Sequence, residues 1–235
     1  ALRNKRRTGL TMLSIAFSLF LLVTLLTFMD ALLDPVVDDN AALRLITSGA
    51  TSLAQFLPMS YRDKIQRIPG VTYVSELQWY GGVYKDPKYI FPNFGVDPHT
   101  IFNIYSEQKT EPETIAAFIA HRDAAVAGQD LMDRFGWKSG QRITLTGTIF
   151  PVDLELTIVG AFHYRDYQNA LYFRWDYLNE AMDNLDQTGA FVIRAADTGM
   201  VPGIASAVDE MFRNSSSETK TESEKAFVLG FMAML

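Results

Sequence analysis

The sequence contains no cysteine, and only three of its 235 residues are histidine. These residues therefore form no disulfide and offer no thiolate as a nucleophile or a metal ligand. The three histidines stand far apart and lack the short spacings of metal ligands: His99, His121 and His163. Phosphate-binding glycine loops and the G-x-S-x-G motif of serine hydrolases are also missing. We predict no catalytic residue, no cofactor and no metal site here, and we do not expect an enzyme.

Charge is absent from the run Gly9–Met29. As a helix this run covers roughly 31 Å, which matches the hydrocarbon core of a bilayer. Basic residues precede it, and they are candidates for contact with lipid or with a cytoplasmic partner: Arg3, Lys5, Arg6 and Arg7. Aspartates follow it, so the positive-inside rule predicts a cytoplasmic N-terminus and an extracytoplasmic location for the rest. The run is too long for the apolar core of a cleaved signal peptide.

A second apolar stretch, Ala226–Leu235, follows the polar segment Asn214–Lys225. Ten residues cannot span a bilayer, so we interpret the stretch as the start of a second membrane helix. A short amphipathic or core helix is the alternative. The predicted parts are a cytoplasmic segment (1–8), a membrane helix (9–29), an extracytoplasmic core domain (30–225) and the start of a second membrane helix (226–235).

Acidic side chains outnumber basic ones in the chain, 27 against 21, and four of the basic ones precede Gly9. The predicted extracytoplasmic part is therefore distinctly acidic. An acidic surface argues against nucleic acid as a partner and against a polybasic surface that binds lipid.

Two segments, 43–80 and 189–222, repeat the order strand, helix, strand. Met59–Ile68 and Met200–Phe212 have the helical period, and a polar edge strand is expected near 215–221. Two such units around an insertion predict a ferredoxin-like, porter-type module. The insertion, about 95–185, mixes short helices with a strand hairpin and forms a mixed α/β lobe. The expected class is therefore α+β.

One aromatic-rich stretch is the best candidate surface for a partner or a substrate. Its aromatic residues are Trp79, Tyr80, Tyr84, Tyr89, Phe91 and Phe94. Aromatic side chains beside glycine and proline often form recognition patches on loops. A loop whose rings cover the core is the alternative, and the pattern favours it.

Five segments, taken in order, share the pattern of one known family. They are ALRNKRRTGLTMLSIAFSLFLLV, IQRIPGVTYVSE, FGVDPHTIF, AAVAGQDLMDRFGWKSGQRITLTG with LELTIVGAF, and TESEKAF. The first resembles the opening membrane segment of ABC transporter permeases of the MacB and FtsX-like group. The middle three resemble elements of the MacB-like periplasmic core domain, and the last resembles the approach to the second membrane helix.

This resemblance implies a permease subunit in a bacterial inner membrane, with its core domain between the first two of four membrane helices. The core domain would have a porter-type part near the membrane and an inserted, sabre-type lobe. The implied partners are a cytoplasmic ABC ATPase, a second permease in a homodimer or heterodimer, the lipid bilayer, and a periplasmic adaptor or lipoprotein. Any ATPase activity would reside in a separate cytoplasmic subunit or domain. The implied role is mechanical coupling of ATP-driven motion to export, lipoprotein or lipid handling, or activation of a periplasmic partner.

Two other classes of membrane protein share the predicted topology. A two-helix receptor has an extracytoplasmic domain that senses a ligand between its membrane helices. A membrane-anchored external enzyme is the third reading, and the missing catalytic constellation argues against it.

Overall fold

The computed structural model describes residues 5–33, 39–52, 54–89, 91–164 and 169–232. The helices are α1 (Lys5–Leu33), α2 (Ser60–Gln66), α3 (Ile101–Ile104), α4 (Pro112–Ala120), α5 (Gln129–Phe135), α6 (Trp175–Ala181), α7 (Val201–Phe212) and α8 (Glu224–Met232). The strands are β1 (Arg44–Gly49), β2 (Leu57–Pro58), β3 (Val71–Trp79), β4 (Asn93–Val96), β5 (Lys109–Thr110), β6 (Ala124–Gly128), β7 (Arg142–Leu145), β8 (Leu154–His163), β9 (Leu171–Arg174), β10 (Gln187–Thr188), β11 (Ala190–Ala195) and β12 (Thr219–Ser223). Short 3₁₀ turns cover Asp39–Leu43 and Thr198–Met200.

The helix α1 contains the predicted membrane segment. Its stretch Arg7–Phe28 is long and apolar enough to cross a membrane. The side chains from Gly9 to Phe28 are exposed, which an apolar helix tolerates when lipid surrounds it. The helix α8 begins two residues before the apolar stretch at Ala226, and its entry into a membrane stays a prediction.

One ten-stranded sheet organises the rest of the described chain. At one end the order is β12, β1, β11, β3, and all three neighbouring pairs are antiparallel. In chain order, β1 and β3 are strands 1 and 2, from the first strand–helix–strand unit, and β11 and β12 are strands 3 and 4, from the second. Across the sheet they stand in the order 4-1-3-2. This arrangement confirms the predicted ferredoxin-like pairing, which we call the module. The strand β12 lies at the edge of the sheet, as its polar sequence predicts.

The insertion between β3 and β11, residues 80–189, continues the same sheet, and we call it the lobe. The strand β4 pairs with β3, and the order then runs β9, β6, β8 and β5. The predicted hairpin is present, because β7 and β8 are antiparallel neighbours. The strands β4 and β9 pair parallel with each other, in places where the sequence pattern predicts no strand.

Three hydrophobic cores cover the two faces of the sheet. One core lies between the module and the helices α2 and α7, and Leu45, Ile193 and Val208 belong to it. A second core fills one face of the lobe. The third core contains Ile46 of the module and Phe118 of the lobe. Because the sheet and the third core are both continuous across module and lobe, the two parts pack as one body.

The contact between α2 and α7 depends on one aromatic stack. Tyr61 of α2 and Phe212 of α7 lie with ring centroids 3.8 Å apart and planes within 7°. Both side chains are buried. The Tyr61 hydroxyl also donates a hydrogen bond to the carbonyl of Ser217, so the stack holds the chain that leads into β12.

We expect Phe212→Ala to lower the free energy of unfolding by about 3–5 kcal/mol, because it opens a cavity in this core. Thermal unfolding of the purified protein in detergent, followed by tryptophan fluorescence, measures the loss. Met211→Ala on the same helix is the matched control, since Met211 is 47% exposed. Equal losses for the two variants would contradict this account of the core.

A buried carboxylate lies where the module meets the lobe. Glu76 of β3 is 1% exposed, and its Oε1 lies 3.2 Å from Nη1 of Arg62. Arg62 also pairs with Asp97, which follows β4 directly. Burial raises the pKa of Glu76 to about 7; Arg62 opposes this shift, and Asp97 and Asp176 add to it. Glu76 therefore titrates near neutral pH.

We expect this titration to appear as a pH dependence of stability. The folded state keeps a proton that the unfolded chain releases near 4.5, so Glu76 favours folding at low pH, and this contribution is lost as pH rises to about 7. The loss is on the order of 3 kcal/mol. Melting temperatures at pH 5 and pH 8 should differ more for the wild type than for Glu76→Gln. The exposed Glu113→Gln serves as control, and a wild-type pH dependence in Glu76→Gln would refute the assignment.

Candidate functional site

Three of the six predicted aromatic residues lie in the core of the lobe. Tyr80, Tyr84 and Phe91 are buried there. The Tyr80 hydroxyl donates its proton to the carbonyl of Val152 and also lies 3.2 Å from the carbonyl oxygen of Leu145. Burial raises the pKa of this hydroxyl above its usual value. These rings fasten the loop after β3 to the lobe, as the core-covering alternative describes.

The other three aromatic residues are partly exposed, and they lie in two places. Trp79 and Phe94 face each other across β3 and β4, with ring centroids 5.5 Å apart in an edge-to-face arrangement. Tyr89 instead packs on Phe135, at 5.6 Å. The six residues thus do not form one surface. The pair of Trp79 and Phe94 is the part that stays a candidate contact surface.

The basic residues before the apolar run are only partly described. Lys5, Arg6 and Arg7 lie in the first turns of α1, and Arg7 is exposed. Arg3 lies outside the described residues. Their contact with lipid or with a cytoplasmic partner therefore stays a prediction.

Among the described residues, no three His, Cys, Asp or Glu side chains are grouped so that they could hold a metal ion. The aspartate of the F-G-V-D-P segment shows what such residues do here instead. Asp97 accepts hydrogen bonds from the backbone N–H of His99 at 2.9 Å and from the hydroxyl of Thr100 at 3.0 Å. These bonds close the turn that leads into α3.

The structure brings together a charged cluster that the sequence analysis does not identify. Arg44 of β1 and Arg194 of β11 are direct partners in the antiparallel register. Side chains opposite each other in such a pair project from the same face, and two like charges there are destabilising. Carboxylates must therefore approach this face of the sheet.

Two carboxylates surround Arg44, whose side chain is only 4% exposed. Its Nη1 lies 2.6 Å from Oε1 of Glu107, and its Nε lies 2.5 Å from Oε2 of Glu224. Its guanidinium also stacks over the ring of Tyr105, 4.6 Å from the centroid. The Tyr105 hydroxyl donates a hydrogen bond of 2.9 Å to the other oxygen of Glu224. We call Arg44, Arg194, Tyr105, Glu107 and Glu224 the arginine junction.

Arg194 binds the chain on both sides of the junction. It donates hydrogen bonds to the carbonyl of Ile104 at 2.8 Å and to the hydroxyl of Ser106 at 3.2 Å. It also donates to the side-chain oxygen of Asn40 at 3.2 Å. Asn40 lies in the 3₁₀ turn that precedes β1. Arg194 therefore joins the start of the module to the end of α3.

Electrostatics keep Arg44 charged. Burial lowers the pKa of Arg44, but attraction to the carboxylates of Glu224 and Glu107 outweighs it and raises this pKa above its usual value. Burial and the Glu224 carboxylate hold the pKa of Tyr105 well above its usual range. Arg44 is thus a cation and Tyr105 a neutral donor at any physiological pH. Because its charged groups pair with one another, the junction acts as a structural link.

Sequence reasoning misses the junction because its members lie far apart in the chain. Arg44 stands 63 residues from Glu107 and 180 residues from Glu224. The one available signal is an arginine at the head of the strand-like segment RLITSG. A cation in a strand buried on both faces requires a partner.

The fold resembles solved extracytoplasmic domains of transporters. The extracellular domain of the noncanonical ABC-type transporter YknZ from Gram-positive bacteria has a TM-score of 0.56 and 9% identity, with 76% of this chain and 98% of that chain covered. The periplasmic region of MacB from Actinobacillus actinomycetemcomitans has a TM-score of 0.55 and 9% identity, with 82% and 94% covered. At such low identity these likenesses show the fold alone.

Sequence comparison with known families gives the more decisive result. No curated protein is significantly similar to the chain in sequence. The profile of the MacB-like periplasmic core domain, however, matches residues 8–211. Because that match covers far more than half of the chain, the protein belongs to the MacB-like periplasmic core domain family of ABC transporter permeases.

Proposed function

We propose that the chain is the extracytoplasmic domain and first membrane helix of a permease subunit that works with a cytoplasmic ABC ATPase. The domain couples ATP-driven motion to export, to lipoprotein or lipid handling, or to activation of a periplasmic partner. The observation that supports this role best is the geometry of the two chain ends. Leu45 of β1 and Ser223 of β12 are direct register partners, so the 3₁₀ turn that precedes β1 and the helix α8 that follows β12 join the sheet side by side.

Adjacent attachment favours mechanical coupling. Two membrane helices that meet the same edge of a rigid sheet can tilt or shift the whole domain when their cytoplasmic ends move. The continuous sheet and the shared core keep the domain from absorbing that motion internally. A permease homodimer or heterodimer in the bilayer, contacted outside by an adaptor or a lipoprotein, would be the working assembly.

We expect an ATPase to accompany the full-length protein. A tagged version, extracted from membranes in mild detergent, should retain a stoichiometric nucleotide-binding subunit, or should carry that domain in the same chain. The complex should hydrolyse ATP, and a substitution of the ATPase's catalytic carboxylate should abolish that activity without loss of the permease. Purification without any nucleotide-binding component would favour a ligand-sensing receptor instead.

We also expect a defined orientation in the membrane. The sequence contains no cysteine, so a cysteine introduced at one position can report whether that position is accessible to a labelling reagent. In a full-length protein without other cysteines, Ser216→Cys should react with an impermeant maleimide added to intact spheroplasts. Asn4→Cys should react only after the membrane is opened, because the basic flank is expected in the cytoplasm. The reverse labelling pattern would overturn the topology.

A further inference from the structure

We propose that the arginine junction is a clamp that makes the lobe follow the helix α8. The inference rests on the proposed function for its role in transport, and it deepens that function by naming the residues that join the moving parts. The clamp connects three pieces of the chain: the first turn of α8, the head of β1 in the module, and the segment after α3 in the lobe.

The first turn of α8 is fastened at two points. Glu224, the first residue of the helix, contacts Arg44 at 2.5 Å and accepts the Tyr105 hydroxyl at 2.9 Å. One turn later, Phe227 packs against the core that module and lobe share. An ion pair and an apolar contact on the same side of the helix resist both sliding and rotation. A displacement of α8 therefore acts directly on Arg44 and Tyr105.

From Arg44 the connection continues into the lobe. The Nη1 atom of Arg44 forms an ion pair with the carboxylate of Glu107. The next residue, Gln108, donates a hydrogen bond of 3.0 Å to the hydroxyl of Tyr172 in β9. The strand β5 then starts at Lys109 and pairs with His163 in β8, and β8 pairs with both β6 and β7. Glu107 thus lies two residues before β5, which is a strand of the lobe.

Burial makes this connection stiff. The guanidinium and its two carboxylates are largely removed from water. If one partner moves away, the interaction energy lost is large, because water does not replace the broken contact. Such a link moves as a unit or breaks outright, rather than stretching. Arg194 supports it from the neighbouring strand, since it holds the carbonyl of Ile104 and the side chain of Asn40.

Glu224 is the residue whose removal tests the clamp most cleanly. Glu224→Ala cuts the link between α8 and the junction but leaves Arg44 paired with Glu107. Glu222→Ala is the matched control. Glu222 is a half-buried carboxylate two residues earlier, and it pairs with Lys220 at 3.0 Å, outside the junction.

The measurement is the distance between a spin label on the lobe and one on α8. Lys138 is exposed in the lobe, and Gly230 of α8 has open space where a side chain would project. Both positions are changed to cysteine in the full-length protein with its ATPase, reconstituted in lipid nanodiscs. Distances are recorded by pulsed electron spin resonance without nucleotide and with a non-hydrolysable ATP analogue.

We expect a narrow distribution in the wild type, with the same mean in both nucleotide states, because lobe and helix move together. Glu224→Ala should broaden it about twofold or more, because α8 then loses its ion pair with Arg44 and its hydrogen bond from Tyr105 and its end can move on its own. Glu222→Ala should match the wild type. A second label pair inside the lobe, at Lys138 and Glu111, should stay narrow in every variant, which a general loss of folding would not allow.

Three results would overturn the clamp. They are a wild-type distance that changes with nucleotide, a Glu224→Ala distribution as narrow as the wild type, and equal broadening in the control variant. If Glu224→Ala fails to fold, Glu224→Gln removes the charge and keeps the size, and the same comparison applies. The distances measured without nucleotide do not depend on the ATPase, so absence of a co-purifying ATPase would refute the proposed function separately.

Discussion

Two arginines that face each other across neighbouring strands are the constraint on which much of this structure depends. Arg44 and Arg194 project from the same face of the sheet, where their mutual repulsion must be offset. The chain offsets it by bringing one carboxylate from the lobe, Glu107, and one from the start of α8, Glu224. Backbone pairing of β1 with β12 places Glu224 beside Arg44, and the charge of Arg44 then joins both to Glu107 of the lobe.

The continuous sheet turns this local link into a property of the whole domain. A ferredoxin-like module with a separate inserted domain could bend at the two places where the chain passes from one to the other. Here β4 extends the module's sheet into the lobe, and residues of both parts form the third core. Close packing of this kind transmits small displacements instead of absorbing them. A domain built in this way suits the conversion of helix motion into motion at its far end.

The sequence pattern predicts the elements with strong local signals. The helix Gln129–Phe135 ends at Gly136, which adopts φ 65°, a left-handed conformation that glycine favours, and such a glycine is a local signal in the sequence. The strands β4 and β9 escape prediction because each has only four residues. Neither shows the alternation of buried and exposed residues that identifies a strand from its sequence. They become strands because neighbours on both sides complete their hydrogen bonds.

The candidate site is less predictable than the fold for a related reason. Aromatic residues in a sequence suggest a binding surface, yet Tyr80 and Phe91 are buried in the core. Arg44 and Glu224 look ordinary in their own segments, and only the tertiary fold shows that they meet. Local sequence patterns show how a residue relates to its neighbours in the chain. They do not reveal an ion pair between residues that are 180 positions apart.

The two buried charge clusters also differ in a way that separates their roles. In the arginine junction, Arg44 meets two carboxylates, and its pKa is raised, so its guanidinium stays charged at physiological pH. Glu76 lies between module and lobe with a single, partly exposed arginine for two carboxylates, and its pKa is about 7. Its charge therefore varies with pH near neutrality. The charge of the arginine that holds α8 is therefore constant, whereas the contact of Arg62 with Glu76 changes with pH. In the mechanical role proposed above, a constant charge suits the point where α8 meets the domain, and the pH-dependent charge lies instead at the contact of module and lobe.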